Sequence, residues 1–472
     1  MFSSLCKYWI NLSIIYIFAF NLMEMKFEDL NLNKPLLNAL NDLGFETPST
    51  IQHKTFSPIM SGKDIVGIAQ TGTGKTFAFL LPILRLWKFS KSPFPTIIII
   101  VPTRELVAQI VEEIEKLASY MNLVAVGVYG GTNMRSQKNA IFHGCDVVVG
   151  TPGRLVDLIV DGVLKTKEVK KLIIDEVDEM LHLGFRTQLK NIIDLLPEKR
   201  QNLMFSATMI PEVEAVIDFF TSHYTKIEAA PSGAPLENIQ QSAYPVPNFN
   251  SKANLLEHLL ATDKSMEKVL VFVDTKKMAD ALYERLSPSF EEKIGVIHGS
   301  KSQNNRFASV ENFQNGIYRI LIATDIIARG LDVSLVSHVI NFDLPDTSEK
   351  YIHRIGRTGR AEQEGIAIAF VSEKEISNKA DIETLMNQAI PMIEVPEEVD
   401  ITDALIDLEI TPEFVPFENN KFKHHVPTGP AFHEKKEKNK KVNKKLRRSE
   451  KMKLKYKKPI KRGAKKKKKK KK

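Results

Sequence analysis

Short apolar runs rich in β-branched residues alternate with helical patterns along most of this 472-residue chain. In the first half, these runs lie at 65–69, 96–101, 124–129, 147–150, 172–175 and 203–206. In the second half, they lie at 269–273, 294–297, 320–323, 338–341 and 366–371. Such runs are typical of parallel strands that helices bury on both faces. The pattern predicts an α/β fold with two tandem, doubly wound parallel-sheet domains.

The pattern weakens between 226 and 250, where Pro, Gly and Asn accumulate, as is typical of a connecting segment. We therefore predict a first domain over 25–225, a linker over 226–250 and a second domain over 251–400, with a cleft between the two domains. The remaining segment, 401–472, is first Pro- and acid-rich and then almost entirely Lys. That composition predicts an extension ending in a disordered basic tail.

The charge of the chain is distributed unevenly. The formal net charge is +9, yet residues 431–472 carry 24 Lys and Arg against three Glu, so the rest of the chain is net acidic. An acidic body does not hold nucleic acid through its net charge. We therefore expect local nucleic-acid contacts in the body and a separate basic arm at the C-terminus.

The cysteine content bears on the compartment. Cys6 and Cys145 are the two cysteines of the sequence, and they offer neither a metal-ligand spacing nor a framework of several bridges. This usage fits a reducing compartment. A cytoplasmic location is predicted.

Residues 1–24 form an apolar extension, with a continuous apolar run from Ile14 to Phe20. The run resembles the apolar part of a signal peptide, but no small-residue cleavage site follows it, and it is short for a bilayer span. We interpret the extension as untranslated, with synthesis beginning at Met23 or Met25, and we expect no stable membrane association. A membrane-tethered form is the alternative.

A glycine-rich segment, AQTGTGKT at 69–76, directly follows one predicted strand and precedes a helical pattern. In that context, backbone N–H groups wrap phosphates at a helix N-terminus, a Lys reaches the terminal phosphates and a hydroxyl binds Mg²⁺. The residues that match these roles are Gly72, Thr73, Gly74, Lys75 and Thr76. The usual pattern begins with Gly, whereas Ala69 holds that position here. The strand before and the helix after still predict a phosphate-binding loop.

The predicted strand at 172–175 leads into two carboxylates, Asp175 and Glu176. Because a parallel sheet places the carboxyl ends of its strands at one edge, we expect both beside the phosphate loop. Carboxylates in that position serve Mg²⁺ and the attacking water. The alternative is a solvated strand end without a catalytic role.

An ordered series of motifs over about residues 25–400 resembles the DEAD-box RNA helicases, within them the bacterial RhlE-like branch. In the first half, the matching segments are Phe27 with GFETPSTIQ ending at Gln52, AQTGTGKT, PTRELVAQ (102–109), Gly130-Gly131, TPGRL (151–155), DEVD (175–178) and SAT (206–208). In the second half, they are VFVDTK (271–276), HGSKSQNNR (298–306), ATDIIARGLDV (323–333) and HRIGRTGR (353–360). The resemblance implies two RecA-like domains and an RNA helicase that uses ATP and Mg²⁺.

The resemblance also implies roles for residues at the ATP site. Phe27 is expected to stack on adenine, Gln52 to hydrogen-bond its edge and Asp332 to touch the ribose. Asp175 is expected to hold Mg²⁺ through water, and Glu176 to position and activate the attacking water.

Further implied roles concern the second domain and the link between the domains. Arg357 and Arg360 match arginine fingers that stabilise charge on the transferred phosphoryl group; the alternative is a solvated basic helix end. Ser206, Thr208 and His353 match residues that couple the ATP site to the contacts between the domains.

On the RNA side, the resemblance implies contacts with phosphates and 2′-hydroxyls. The matching residues are Arg104, Gly131, Thr151, Arg154, Arg306 and Thr324. None of them forms a group that reads bases, so RNA binding is expected to tolerate many sequences, on single strands or short duplexes.

One residue departs from the motif pattern: Val177 stands third in DEVD, where the family usually has Ala. The flanking carboxylates are retained, and two extra methyl groups are usually absorbed at modest cost. We expect activity to survive, with slightly altered packing toward SAT.

The expected mechanism is closure of the two domains on ATP and single-stranded RNA, local separation of short duplexes and release after hydrolysis. One alternative keeps the enzyme class but takes DNA as the substrate. Another is an ATP-gated RNA clamp, chaperone or scaffold with little turnover. A requirement for 2′-hydroxyls and a turnover assay distinguish these three functions.

Deleting residues 433–472 tests the basic-arm hypothesis. RNA affinity should fall and lose much of its salt dependence, because each engaged Lys or Arg releases a counterion, whereas the ATPase rate at saturating RNA should change little. The measurement is the slope of log affinity against log salt for full-length and truncated protein on one RNA. Coincident slopes would assign the lysines to solubility or a protein partner.

Overall fold

The computed structural model describes residues 25–69, 72–221, 223–229, 238–325, 336–359 and 364–409. Within these ranges the strands are β1 Ile65–Ile68, β2 Ile97–Ile100, β3 Ala125–Val128, β4 Val147–Gly150, β5 Lys171–Ile174, β6 Gln201–Ser206, β7 Thr225–Glu228, β8 Ile239–Pro245, β9 Val269–Phe272, β10 Ile294–Ile297, β11 Ile320–Ala323, β12 His338–Asn341 and β13 Gly365–Val371. They form a seven-stranded and a six-stranded sheet.

Helices connect these strands. The α-helices are α1 Lys34–Asp42, α2 Thr50–Met60, α3 Lys75–Leu86, α4 Arg104–Leu117, α5 Met134–Phe142, α6 Pro152–Val160, α7 Val177–His182, α8 Arg186–Asp194, α9 Pro211–Phe220, α10 Phe249–Thr262, α11 Lys276–Phe290, α12 Gln303–Gln314, α13 Ser348–Ile355 and α14 Ile376–Met386. Short 3₁₀ turns lie at Phe27–Asp29, Glu291–Lys293 and Glu373–Glu375.

Both sheets are parallel throughout the described strands. The first has the order β3-β4-β2-β5-β6-β1-β7 and the second the order β10-β11-β9-β12-β13-β8. Neighbouring strands run in register, as where Ile98 lies opposite Val148 on one side and Leu172 on the other. The predicted pair of parallel-sheet α/β domains is confirmed.

Alternate residues of each strand enter different cores. In β2, Ile97 and Ile99 belong to one hydrophobic cluster, whereas Ile98 and Ile100 belong to the cluster on the opposite face. Because side chains of a strand point alternately to the two faces, a sheet covered by helices on both faces requires apolar residues at every position. This requirement explains why the strands are continuous apolar runs in the sequence.

The edge strand β8 lies inside the range predicted as linker, 226–250, and the edge strand β7 overlaps its start. Their burial is incomplete, since in β7 only Ile227 is buried, between exposed neighbours, and β8 is buried at only two of its seven positions. An edge strand has one uncovered side, so polar residues are tolerated there.

Parallel topology places the motif residues at one edge of each sheet. The phosphate loop follows β1, Arg104 follows β2, Gly130-Gly131 follows β3 and Thr151 follows β4. Asp175 directly follows β5. Ligand sites of open parallel sheets lie at these carboxyl ends.

Several predictions fall outside the described residues: the 1–24 extension, Asp332, Arg360 and the lysine-rich tail. Among the residues that are described, no helix combines the length and hydrophobicity needed to cross a membrane.

Candidate active site and nucleic-acid cleft

The phosphate loop depends on glycines with left-handed backbone conformations. Gly72 has φ 84° and Gly74, the N-cap of α3, has φ 88°. A Cβ on Gly74 would also lie 2.3 Å from Nε2 of Gln52. The loop therefore turns directly into α3, whose first N–H groups suit phosphate oxygens.

The N-terminal segment braces this loop. Gln52 donates through Nε2 to the Gly74 carbonyl at 3.2 Å and accepts from the Ser49 N–H at 2.9 Å. Phe27 is only 3% exposed and packs in the first domain's core, with its N–H bonded to the Glu46 carbonyl. Both residues thus hold the segment on the domain, and their contacts with adenine stay predictions.

Lys75 and Glu176 form a buried ion pair, with 3.1 Å between Nζ and Oε1. Burial alone would lower the pKa of Lys75, but the charges of Glu176, Asp175 and Asp178 outweigh burial and raise it. Glu176 has φ 55°, an uncommon value for a residue with a side chain. Such backbone strain is found at functional sites, where the surrounding structure imposes it.

Asp175 directly precedes Glu176 in the chain and is 3% exposed. Burial raises the pKa of its carboxyl to about 7, although Lys75 opposes the rise. One oxygen accepts from the Glu176 N–H at 2.9 Å. Asp175 at the end of β5 and Thr76 at the start of α3 both stand at the carboxyl edge of the first sheet. Carboxylate and hydroxyl oxygens are the hard donors that Mg²⁺ takes, so the residues fit the predicted ion.

Asp178 joins several parts of the site through its carboxylate. Oδ2 accepts from the N–H groups of Ala207 and Thr208 and from the Thr208 hydroxyl, at 3.0 to 3.1 Å. Oδ1 accepts from the Glu179 N–H at 3.0 Å. Burial would raise the pKa of Asp178, but His353, Lys75 and the Thr208 hydroxyl outweigh it, and the pKa lies well below its ordinary range.

His353 brings the second domain to this carboxylate. Its Nε2 lies 3.7 Å from Oδ2 of Asp178, and both side chains are buried. Glu176 also lies nearby, so the three residues could in principle ligate a metal. Both Asp178 oxygens already accept hydrogen bonds, however, and we assign the group to coupling between the domains.

Val177 is buried, with 1% exposure, and packs in the cluster on the α7 face of the first sheet. Its neighbours in that cluster include Ile174 and Met180. The side chain therefore points into the core rather than toward the carboxylates. The larger residue is accommodated in this packing.

A cleft of about 590 Å³ lies between the domains. It contains five of the six residues predicted to bind RNA, namely Arg104, Gly131, Thr151, Arg154 and Arg306. A Cβ on Gly131 would lie 2.2 Å from Nη1 of Arg104, and φ there is 75°. Glycine is therefore required for this backbone to approach the guanidinium.

Thr324 is not among the residues that line this cleft. It is 8% exposed, and its N–H bonds to the Ile297 carbonyl at the end of β10. Its contact with RNA stays a prediction.

Glu105 links the two walls of the cleft. Its Oε1 accepts from Nη1 of Arg306 at 3.0 Å and from Nε2 of Gln303 at 3.1 Å. Gln303 in turn accepts from Arg104 at 3.4 Å. Sequence reasoning missed Glu105 and Gln303, although Gln303 and Arg306, three residues apart, share one face of α12.

The residues predicted to couple the sites are brought together in part. Thr208 and His353 meet at Asp178, whereas the Ser206 hydroxyl is buried without a hydrogen-bond partner among the described residues. The Ser206 carbonyl instead accepts from the Ala69 N–H, where the phosphate loop begins. Arg357 is 5% exposed and lies within one turn after α13, which carries His353.

Asp178→Asn should lower stability, because an amide of the same shape turns an NH₂ group toward donors that the carboxylate satisfies. Buried unsatisfied donors cost about 1–3 kcal/mol each, so we expect a loss of at least this size in urea unfolding at pH 7. The exposed Asp194→Asn is the control. Since the pKa of Asp178 is depressed, its contribution is complete above about pH 5 and is lost only as pH falls below about 4. Equal stability of both variants would contradict the assignment.

Comparisons with known proteins agree with this geometry. The family model described as DEAD/DEAH box helicase matches residues 49–216, and the helicase conserved C-terminal domain matches 251–362. The DEAD-box ATP-dependent RNA helicase RhpA of Helicobacter pylori is 39% identical over 370 residues, 78% of this chain and 74% of the relative. The ATP-dependent RNA helicase RhlB of Shewanella frigidimarina is 36% identical, over 82% and 89% of the two chains.

Solved structures are similar in fold. Dbp5 of S. cerevisiae bound to RNA and ADP BeF3 has a TM-score of 0.72 at 28% identity, covering 78% of this chain and 96% of Dbp5. Mss116p bound to ssRNA and AMP-PNP has a TM-score of 0.73 at 29% identity, covering 80% of each chain. The matched relatives do not single out the RhlE-like branch. With both family models matched in order, this chain belongs to the DEAD-box family of ATP-dependent RNA helicases.

Proposed function

We propose that this protein binds single-stranded RNA and ATP between its two domains and separates short RNA duplexes when the domains close. The observation that carries this proposal is the pair of contacts across the interface. His353 approaches Asp178 at the ATP site, while Arg306 pairs with Glu105 in the cleft. Ligands that bridge the two domains favour the same closed arrangement, so their binding is coupled.

In the hydrolytic step, Glu176 accepts a proton from the water that attacks the γ-phosphorus of ATP. A P–O bond forms to that water as the bond to the ADP oxygen breaks, and ADP leaves with the electron pair. Lys75 offsets the growing negative charge from the first domain and Arg357 from the second. The ion pair between Lys75 and Glu176 holds both side chains near their places before the nucleotide binds.

Asp175 and Thr76 are the residues that would hold Mg²⁺. When bound, the ion supplies positive charge beside the phosphate oxygens. The buried Asp175 carboxyl, whose negative charge Lys75 only partly balances, supports this assignment.

RNA binding is proposed for the cleft that Arg104, Arg154 and Arg306 line. Its other predicted contacts are the Gly131 backbone and Thr151, which suit phosphate and ribose oxygens rather than base edges. Binding is therefore sequence-tolerant. We further propose a cytoplasmic location, which the cysteine usage supports, and a division into domains near 225 and 251.

The remaining ATP contacts are proposed from motif position. Phe27 and Gln52 would meet adenine, Asp332 the ribose and Arg360 the phosphates. A clamp or scaffold with little turnover is not favoured, because the site retains both carboxylates and the lysine that hydrolysis requires.

Glu176→Gln should abolish turnover while ATP and RNA binding persist, because the amide keeps the shape but accepts no proton. The protein should then stay bound to RNA in the presence of ATP. Phosphate release and RNA dissociation are the two measurements, with the exposed Glu198→Gln as the control. Near-normal hydrolysis would remove Glu176 from its assigned role.

Arg357→Ala should leave ATP affinity almost unchanged, since the first domain supplies most ground-state contacts. Turnover at saturating ATP and RNA should fall by about 10³ or more, as for other arginine fingers. Arg285→Ala, on the exposed surface of α11, is the control. Weaker ATP binding with normal turnover would assign Arg357 a different role.

A further inference from the structure

Gln137 lies on α5 behind the cleft and is 8% exposed. Its Nε2 donates to the Tyr129 carbonyl at 3.0 Å and to the Thr132 hydroxyl at 2.9 Å. Its Oε1 accepts from Nη1 of Arg154 at 2.6 Å. Both amide hydrogens and the carbonyl oxygen are therefore engaged, by partners in two parts of the first domain: the loop after β3, and α6.

These partners fix the orientation of the amide. A flipped amide would set its oxygen against the Tyr129 carbonyl and its NH₂ against the Arg154 guanidinium, which pairs acceptor with acceptor and donor with donor. The oxygen must therefore face Arg154. Arg154 is also tied to the same loop, because its Nη2 donates to the Thr132 carbonyl at 3.4 Å.

The arrangement leaves donors of Arg154 available, because Gln137 and Thr132 accept from only two of the five guanidinium N–H groups. Arg154 is 9% exposed, and its Nε is buried with no hydrogen-bond partner among the described residues. Because Arg154 lines the cleft, an RNA phosphate or ribose oxygen there would accept from the Nη hydrogens that Gln137 and Thr132 do not engage.

We infer that Gln137 is a positioning residue that fixes the Arg154 guanidinium and the Gly130-Gly131 loop in the geometry that receives the RNA backbone. This inference rests on the proposed RNA-binding function of the cleft. Gln137 lines no part of the cleft itself, so it acts through Arg154 and the loop. Arginine that is already oriented loses less side-chain freedom when it binds a phosphate.

Gln137→Leu tests this role, because leucine is similar in size to glutamine but has no polar atoms, so all three hydrogen bonds are lost. In the full-length protein, affinity for a labelled single-stranded oligouridylate should fall about tenfold, as expected for a hydrogen bond to a charged group. The RNA concentration for half-maximal ATPase should rise by a similar factor. The ATPase rate at saturating RNA should stay within about twofold, a split that general misfolding would not produce.

A double-mutant cycle with Arg154→Ala separates the inference from the function beneath it. Arg154→Ala should also weaken RNA binding, and adding Gln137→Leu to it should cause a clearly smaller loss than Gln137→Leu causes by itself. If Arg154→Ala weakens binding but Gln137→Leu does not, the positioning role is wrong and the proposed RNA cleft stands. The same conclusion follows if the loss in the double variant equals the product of the two single losses. If Arg154→Ala has no effect, the proposed cleft fails and the positioning role fails with it.

Two further variants guard against indirect effects. Ser136→Ala, on the adjacent exposed position of α5, should match the unmodified protein, and an equal loss there would overturn the inference. If Gln137→Leu does not fold, Gln137→Glu takes its place. It keeps the acceptor for Arg154 but gives up both donors and adds negative charge, so RNA binding should again weaken, and unchanged binding would contradict the role.

Discussion

The Asp178 carboxylate is the interaction on which the arrangement of this site depends. It accepts hydrogen bonds from the Ala207–Thr208 backbone and the Thr208 hydroxyl, and it faces His353 of the second domain. A buried charge is stable only when such partners surround it. Movement of the second domain away from Asp178 therefore carries a cost in free energy, which links the geometry beside Glu176 to the position of the second domain.

The cleft proposed to bind RNA shows the same principle with a weaker constraint. Glu105 is buried, and its partners Arg306 and Gln303 both come from the second domain. A buried ion pair contributes little net stability but is costly to break. The Glu105–Arg306 pair therefore fixes where the domains meet more than it stabilises the closed state. The Asp178–His353 contact thus lies at the proposed ATP site and the Glu105–Arg306 contact in the proposed RNA cleft, and both form only when the domains are closed.

The fold could be predicted from sequence where burial was complete. Strands such as β2, buried on both faces, read as continuous apolar runs. The edge strands β7 and β8 fall largely in the range predicted as linker, because β7 is buried at one position and β8 at two. Motif order placed Lys75, Asp175 and Glu176 at one sheet edge correctly. Glu105 and Gln137 could not be found this way, because their roles depend on partners distant in the chain or in another element.

The central claim is that one closed arrangement joins the ATP and RNA sites. The most direct test is the affinity of the full-length protein for single-stranded RNA, measured with and without a non-hydrolysable ATP analogue. Coupling through closure predicts RNA affinity at least about fivefold higher with the analogue, with a matching increase in analogue affinity when RNA is present. Equal RNA affinity under both conditions would contradict the account.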